Sequence, residues 1–478
     1  MSRQLNHPAG RRRCQRGLRL LLGLLVLLTA AAAIDATTRW PVYRVALSAD
    51  LGYVDVEVRL PPGEARTLHA RRGSLAAATL LEGCDRQPVA RRGDRIVVGS
   101  AATCIRYRYP LNALWGRRGP QVAEGVVVST PDEWLWMPEW SSGLPLRIEL
   151  VLPPAMAASV PWTPIAPGVF ELPRSPDSAT ATAVFGAFRE LTVPVGQAVL
   201  RVAAVNGPSL TLDPAIVRRW LATAAADVAG VSGSFPSPRV QVIVQPVRSG
   251  NGSPVPFGYV IRDGGDAVRF FVDPQRPLAE LVADWSATHE FSHLLLPYVR
   301  NSEKWVSEGF ASYYQNVLLA RRGAYSEQEA WSHLHRSFVR AGQISDPPPL
   351  RALHERRFWE VRMLVYWSGA ALALAADTRL RHAARHLSLD VVLGRLADCC
   401  LPSERVWTAV ELFSRLDALA GEQVFMPLYE QLDARPGMPD LTELYAELGI
   451  EPMSGDRVRL SGDARLAAVR EAIMARKD

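Results

Sequence analysis

Residues 281–319 read LVADWSATHEFSHLLLPYVRNSEKWVSEGFASYYQNVLL, and the rest of the chain is organised around them. The run His289-Glu290-Phe291-Ser292-His293 is an HExxH motif, and Glu308 follows fifteen positions after its second histidine. On a helix, residues four apart share a face, so both imidazoles point at one ion. Two histidines and a carboxylate suit catalytic zinc, which takes three protein ligands and keeps a fourth position for water. Glu290, between the histidines, is placed to take that water's proton. The stretch predicts zinc-assisted peptide hydrolysis, with His289, His293 and Glu308 as metal ligands and Glu290 as general base.

Other titratable groups compete for these roles. Small or apolar residues (Ala287, Phe291, Leu294, Leu295) surround the motif, so without a metal its polar triplet is buried unpaired. Glu308 likewise lies among Trp305, Val306 and Phe310. Glu303 is nearer the motif and is the rival third ligand, but it belongs to a polar loop, 301–304. His382 and His386 repeat the histidine spacing without a Glu between them. Arg379, Arg381 and Arg385 oppose a cation there, so that segment reads as a solvated helix face. His333, His335 and His354 lack partners at ligand spacing and read as surface residues.

With 478 residues, 48% hydrophobic and 21% charged, the chain is globular and long enough for two or three domains. Its pI of 9.2 comes from the N-terminus. Six of the 54 Lys and Arg, and no acid, fall in residues 1–33; the other 48 match the 48 Asp and Glu. The body therefore carries no electrostatic footprint for nucleic acid. Residues 1–36 read as a signal peptide or N-terminal anchor: a basic segment, an apolar run over 20–34, and Ala31-Ala32-Ala33 for cleavage. The run is short of the ~20 residues that span a bilayer. Cleavage is the favoured reading, and a membrane tether through residues 18–34 the alternative. Either way the body lies outside the cytoplasm, in the periplasm, secreted or membrane-anchored. Disulfides are then allowed. Cys84 and Cys104 suit a bridge between neighbouring strands or two buried thiols, whereas adjacent Cys399 and Cys400 read as core thiols at a helix end.

Alternating runs at 42–47, 54–60, 95–98, 104–109 and 147–152, separated by Gly, Pro and Arg-Gly turns, predict an all-β sandwich over 37–206. Its aromatic segment, Trp134 to Trp140, reads as packing, and Leu152–Pro176 as a Pro-rich crossing. From 207 to 345 the order is helix (213–229), strand (239–247), hairpin about Gly264-Gly265, a motif helix from Pro277 to Pro297, and a ligand helix from Ser307, an α+β unit. Residues 346–478 read as a helical domain.

The HExxH motif followed by Trp305-Val306-Ser307-Glu308-Gly309-Phe310-Ala311-Ser312-Tyr313-Tyr314 resembles the gluzincin metallopeptidases, closest to the glycyl aminopeptidase family and more distantly aminopeptidase N. Similar segments are 233–246, 366–374, 388–392 and 425–450, so the likeness spans roughly 200–452. The resemblance implies a thermolysin-like catalytic domain, Zn2+ held by His289, His293 and Glu308, and Glu290 as base. It also assigns Tyr366, in Tyr366-Trp367-Ser368-Gly369-Ala370, to the tyrosine that hydrogen-bonds the oxyanion. Departures are equally specific. Ser368 stands where the family has Lys, no PDZ domain follows, and Arg262-Asp263-Gly264-Gly265-Asp266 holds no Glu to anchor a substrate amine. Exo- and endopeptidase readings therefore both stay open. So do two other classes: an inactive peptidase-like binding module, and an envelope structural protein with a structural zinc.

Overall fold

The computed structural model describes residues 41–476, apart from 62–65, 71–73, 99–103, 112–124, 140–144, 173–180, 353–358 and the single positions 208, 263, 385, 404 and 455. The expected leader, 1–36, and His354 lie outside the described residues. Among the described residues no helix is long and apolar enough to cross a membrane.

The alternation seen in sequence produces strands where side chains face inward at every second position. In the first unit these are β1 (Val42–Leu47), β2 (Tyr53–Arg59), β3 (Thr79–Gly83), β4 (Cys104–Pro110), β5 (Leu146–Val151), β6 (Thr163–Ala166) and β7 (Val169–Leu172). They form one sheet in the order β6-β7-β5-β1-β2-β4-β3. A four-stranded sheet faces it, and Tyr43, Val56, Leu68 and Ile96 meet in a shared core. Trp134 and Trp136 are fully buried there, as expected of packing residues, and Trp140 lies outside the described residues. Cys84 and Cys104 are disulfide-bonded, with Cα atoms 5.4 Å apart. Leu152–Pro176 is not a plain crossing: it carries β6 and β7, and β7 pairs with β5.

The second sheet begins earlier than the expected boundary at 207. The strands β8 (Glu190–Val195) and β9 (Ala198–Ala204) belong with β10 (Arg239–Pro246), β11 (Phe257–Ile261) and β12 (Ala267–Val272) in the order β8-β9-β10-β12-β11. β9 pairs parallel with β10, Val199 opposite Arg239. Alternation identifies a strand but does not say which sheet receives it. The first core ends at Phe185 and the second begins at Leu191.

Helices cover this sheet. α1 (Pro214–Ser232) is capped by Asp213, whose carboxylate accepts from Ala215 N–H. The expected single motif helix is two, α2 (Leu278–Ala283) and α3 (Ser286–Ser292). Asp284 leaves the helix at ψ 141°, and its Oδ1 accepts from Ser286 N–H at 2.8 Å, restarting the turn. Then follow α4 (Lys304–Arg321), α5 (Glu327–Gly342), α6 (Arg362–Ala383), α7 (Leu389–Cys400), α8 (Ala409–Ala420), α9 (Phe425–Ala434), α10 (Thr442–Glu447) and α11 (Ala464–Met474). α5 was not anticipated, although Ser326 and Glu329 form a capping box. Nor do residues from 346 onward make a core of their own: one apolar cluster runs from Leu191 to Met474.

α4 and α6 meet backbone to backbone. A Cβ on Gly309 would stand 2.2 Å from Gly369 Cα. Further along the pair, Tyr313 donates to Asp377 at 2.7 Å and Tyr314 to Asp390 at 2.8 Å. Three cysteine and histidine expectations are settled nearby. Cys399 and Cys400 are joined to each other rather than being core thiols, and Cys399 is exposed at the end of α7. His335 is buried against Tyr445, not on the surface, because α5 turns that face to α10. His382 and His386 are exposed, as expected.

Adding one methyl at the crossing should cost about 1–3 kcal/mol through overpacking. Urea unfolding of Gly309→Ala checks this, and a midpoint equal to that of the parent chain contradicts it.

Candidate metal centre and active site

Three elements supply the site. α3 carries His289 and Glu290, the following 3-10 turn (His293–Leu295) carries His293, and α4 carries Glu308. All four side chains are buried. Ligand atoms of His289, His293 and Glu308 lie within 4.8 Å of one another. Glu308 Oε2 is 3.3 Å from His289 Nε2 and 3.5 Å from His293 Nε2. Its other oxygen, Oε1, takes an ion pair from Lys304 Nζ at 3.1 Å, one turn earlier on α4. The two imidazole rings stand nearly perpendicular, 4.9 Å apart.

These residues fit zinc. Gln315 Oε1 accepts from His289 Nδ1 at 2.7 Å, which fixes the proton on Nδ1 and turns the Nε2 lone pair toward Glu308. Two such nitrogens and one carboxylate oxygen are a zinc donor set. Burial opposes charging of Glu308, yet the His293 and His289 partners outweigh it and hold its carboxyl well below the usual range. Burial opposes the His289 imidazolium too, but the hydrogen bond to Glu308 and the charges of Glu290 and Glu308 raise its pKa.

Glu290 lies 4.0 Å from His293 Nε2. It backs onto the edge strand β11, where a Cβ on Gly258 would stand 3.1 Å from Glu290 Cγ. Burial raises its pKa, against the opposing pull of His289 and His293. Tyr366, on α6, stacks on the His289 ring at 5.8 Å and 11°. Burial, then the charges of Glu308 and Glu290, raise its pKa, so its hydroxyl stays protonated and able to donate. The structure thus brings together all five residues singled out in sequence.

Glu303 is elsewhere: its Oε2 accepts from Ala409 N–H at 2.8 Å, at the start of α8. Asp266, in the segment that holds no Glu to anchor a substrate amine, is paired with Arg262 at 3.0 Å. Asp263 lies outside the described residues. Sequence reading missed Gln315, Lys304 and Arg262 as parts of the site. Gln315 was within reach, since it sits two helical turns after Glu308 on the same face.

The profile of the M61 glycyl aminopeptidase family matches residues 295–346, a segment that includes Glu308 but not the two histidines. No protein with a curated description matches the chain. Among solved structures, an aminopeptidase N family protein from Idiomarina loihiensis shares the fold at 14% identity and TM-score 0.66, over 86% of this chain and 78% of that one. An M1 zinc metallopeptidase from Deinococcus radiodurans matches at 16% identity and TM-score 0.52, over 85% and 96%. A mutant of the latter, bound to a Tyr-Ser-Ala substrate, matches at 16% identity and TM-score 0.51, over 84% and 94%. The chain thus shares the fold of M1 zinc metallopeptidases and of an aminopeptidase N family protein, its segment 295–346 is similar to the glycyl aminopeptidase family, and His289, His293 and Glu308 form a donor set that suits zinc.

Proposed function

We propose that the chain is an exported peptidase that hydrolyses peptide bonds by attack of a water molecule, with Glu290 as its base. One observation carries this reading: His289, His293 and Glu308 converge on one point with Glu290 on the same buried face. Zinc held by these three ligands supplies Lewis acidity toward the scissile carbonyl and toward a water.

The remaining steps belong to the protein. Glu290 takes the proton of the attacking water and returns it to the leaving amine. The Tyr366 hydroxyl, stacked over His289, donates to the oxyanion as it forms. Gln315 holds His289 in the tautomer that keeps Nε2 free of a proton. The substrate lies extended beside β11, the outer strand of its sheet, with Gly258 leaving room between strand and base. Residues 190–345 make the thermolysin-like part of this assembly. Export rests on residues 1–36, whose basic and apolar pattern is that of a secretion signal.

Glu290→Gln should keep zinc and lose peptide hydrolysis by about 10²–10⁴-fold, the range for a missing general base. Mass-spectrometric mapping of peptide-library cleavage, with metal content measured on the same sample, checks this; full activity in the variant sinks the assignment. Tyr366→Phe should lower kcat by about 10²–10³-fold with little change in KM, as for a lost oxyanion donor. A rise in KM alone would instead make Tyr366 a substrate contact. For Gln315→Leu, zinc affinity should fall about 10–100-fold, read by competition with a chromophoric chelator.

A further inference from the structure

The second histidine sits where its helix is weakest. α3 ends at Ser292, and the chain tightens into the single turn His293–Leu295 before Leu296 swings to φ −117°, ψ 155°. The last carbonyls of a helix have no partner within it. The bond that closes this turn, Leu296 N–H to the His293 carbonyl, is long at 3.4 Å. Support arrives from the neighbouring hairpin. Arg262, just past β11, donates through Nη1 to the His293 carbonyl at 3.2 Å and to the Leu296 carbonyl. Its Nε donates across the hairpin turn to Asp266 Oδ1 at 3.0 Å. The two side chains are only 7% and 11% exposed, so the pair is shielded from water. Its cation also faces the negative end of a helix.

We propose that Arg262 is the positioning residue for His293, and that Asp266 holds Arg262 to that task. His289 is fixed through its ring by Gln315, whereas His293 is fixed through its backbone by Arg262. A ligand left loose must be ordered when the metal binds, and that cost lowers affinity. The hairpin therefore sets part of the zinc affinity of a site to which it gives no ligand. This rests on reading His289, His293 and Glu308 as the ligands.

The test compares zinc affinity and metal-free stability in the full chain. Arg262→Met leaves Asp266 buried without its partner, so Arg262→Met with Asp266→Asn removes both charges together. Arg262→Lys keeps the charge without the two-carbonyl reach. Asp227→Asn is the control: it removes the charge of an ion pair, Asp227 with Arg322, that includes none of the proposed ligands. Affinity is read by chelator competition below each variant's unfolding midpoint. The expected result is at least a ~10-fold weakening in Arg262→Met and in the double variant, an intermediate value in Arg262→Lys, and the parent affinity in the control. A folded double variant that binds within about threefold of the parent overturns the proposal, as does an equal loss in the control. If neither Met variant folds, Arg262→Lys decides, and parent affinity there overturns it. A parent chain that binds no zinc would instead overturn the ligand assignment itself.

Discussion

The close crossing of α4 and α6 sets the spacing between two walls of the site. Glycine is required on both helices because Gly309 and Gly369 bring the two backbones into direct contact. Glu308 is the residue before one glycine, and Tyr366 lies three before the other. The crossing thus sets how near the Tyr366 ring comes to the cluster formed by Glu308 and the two histidines. Wider helices would leave the carboxylate and the hydroxyl on separate walls. Tyr313–Asp377 and Tyr314–Asp390 bolt the same pair further along, with buried hydrogen bonds in place of close contact.

Much of the site was legible in the sequence, because its information is local. The i, i+4 histidines, the intervening Glu290 and the glycine-flanked Glu308 all lie within twenty residues. Tyr366 came only from a likeness, since spacing alone does not tell a catalytic tyrosine from a core one. Strand positions were also legible, from alternation. The sheets to which β8 and β9 belong were not, because parallel pairing with β10 joins segments separated by α1. The break between α2 and α3 depends on one Asp side chain bonding its own backbone, a choice that helix periodicity hides. Arg262 looked like part of a turn because its partners, the carbonyls of His293 and Leu296, lie more than thirty residues away.

None of the five site residues comes from the first domain, yet that domain bonds to the sheet that lies beside the site. Gln241, on the central strand β10, donates to the Ser159 carbonyl at 2.8 Å and to the Thr182 carbonyl at 3.1 Å. The tip of the β11–β12 hairpin is seated on the same domain. Gly265 has φ +135°, and a Cβ there would stand 2.4 Å from the Pro161 carbonyl oxygen. Only glycine meets both conditions. The hairpin that lines the site on one edge is therefore anchored at its far end by the β-sandwich.

The unbroken apolar cluster from Leu191 to Met474 makes the part of the chain beyond the sandwich a single cooperative unit. α4 lies at its middle, touching α3 on one side and α6 on the other, and reaching α11 through Arg321 and the Ile473 carbonyl at 2.9 Å. Local opening that frees Glu308 must therefore disturb contacts on all these sides at once. Glu308 thus sits in the densely packed middle of this unit, and its release is coupled to disturbance of the helices around it.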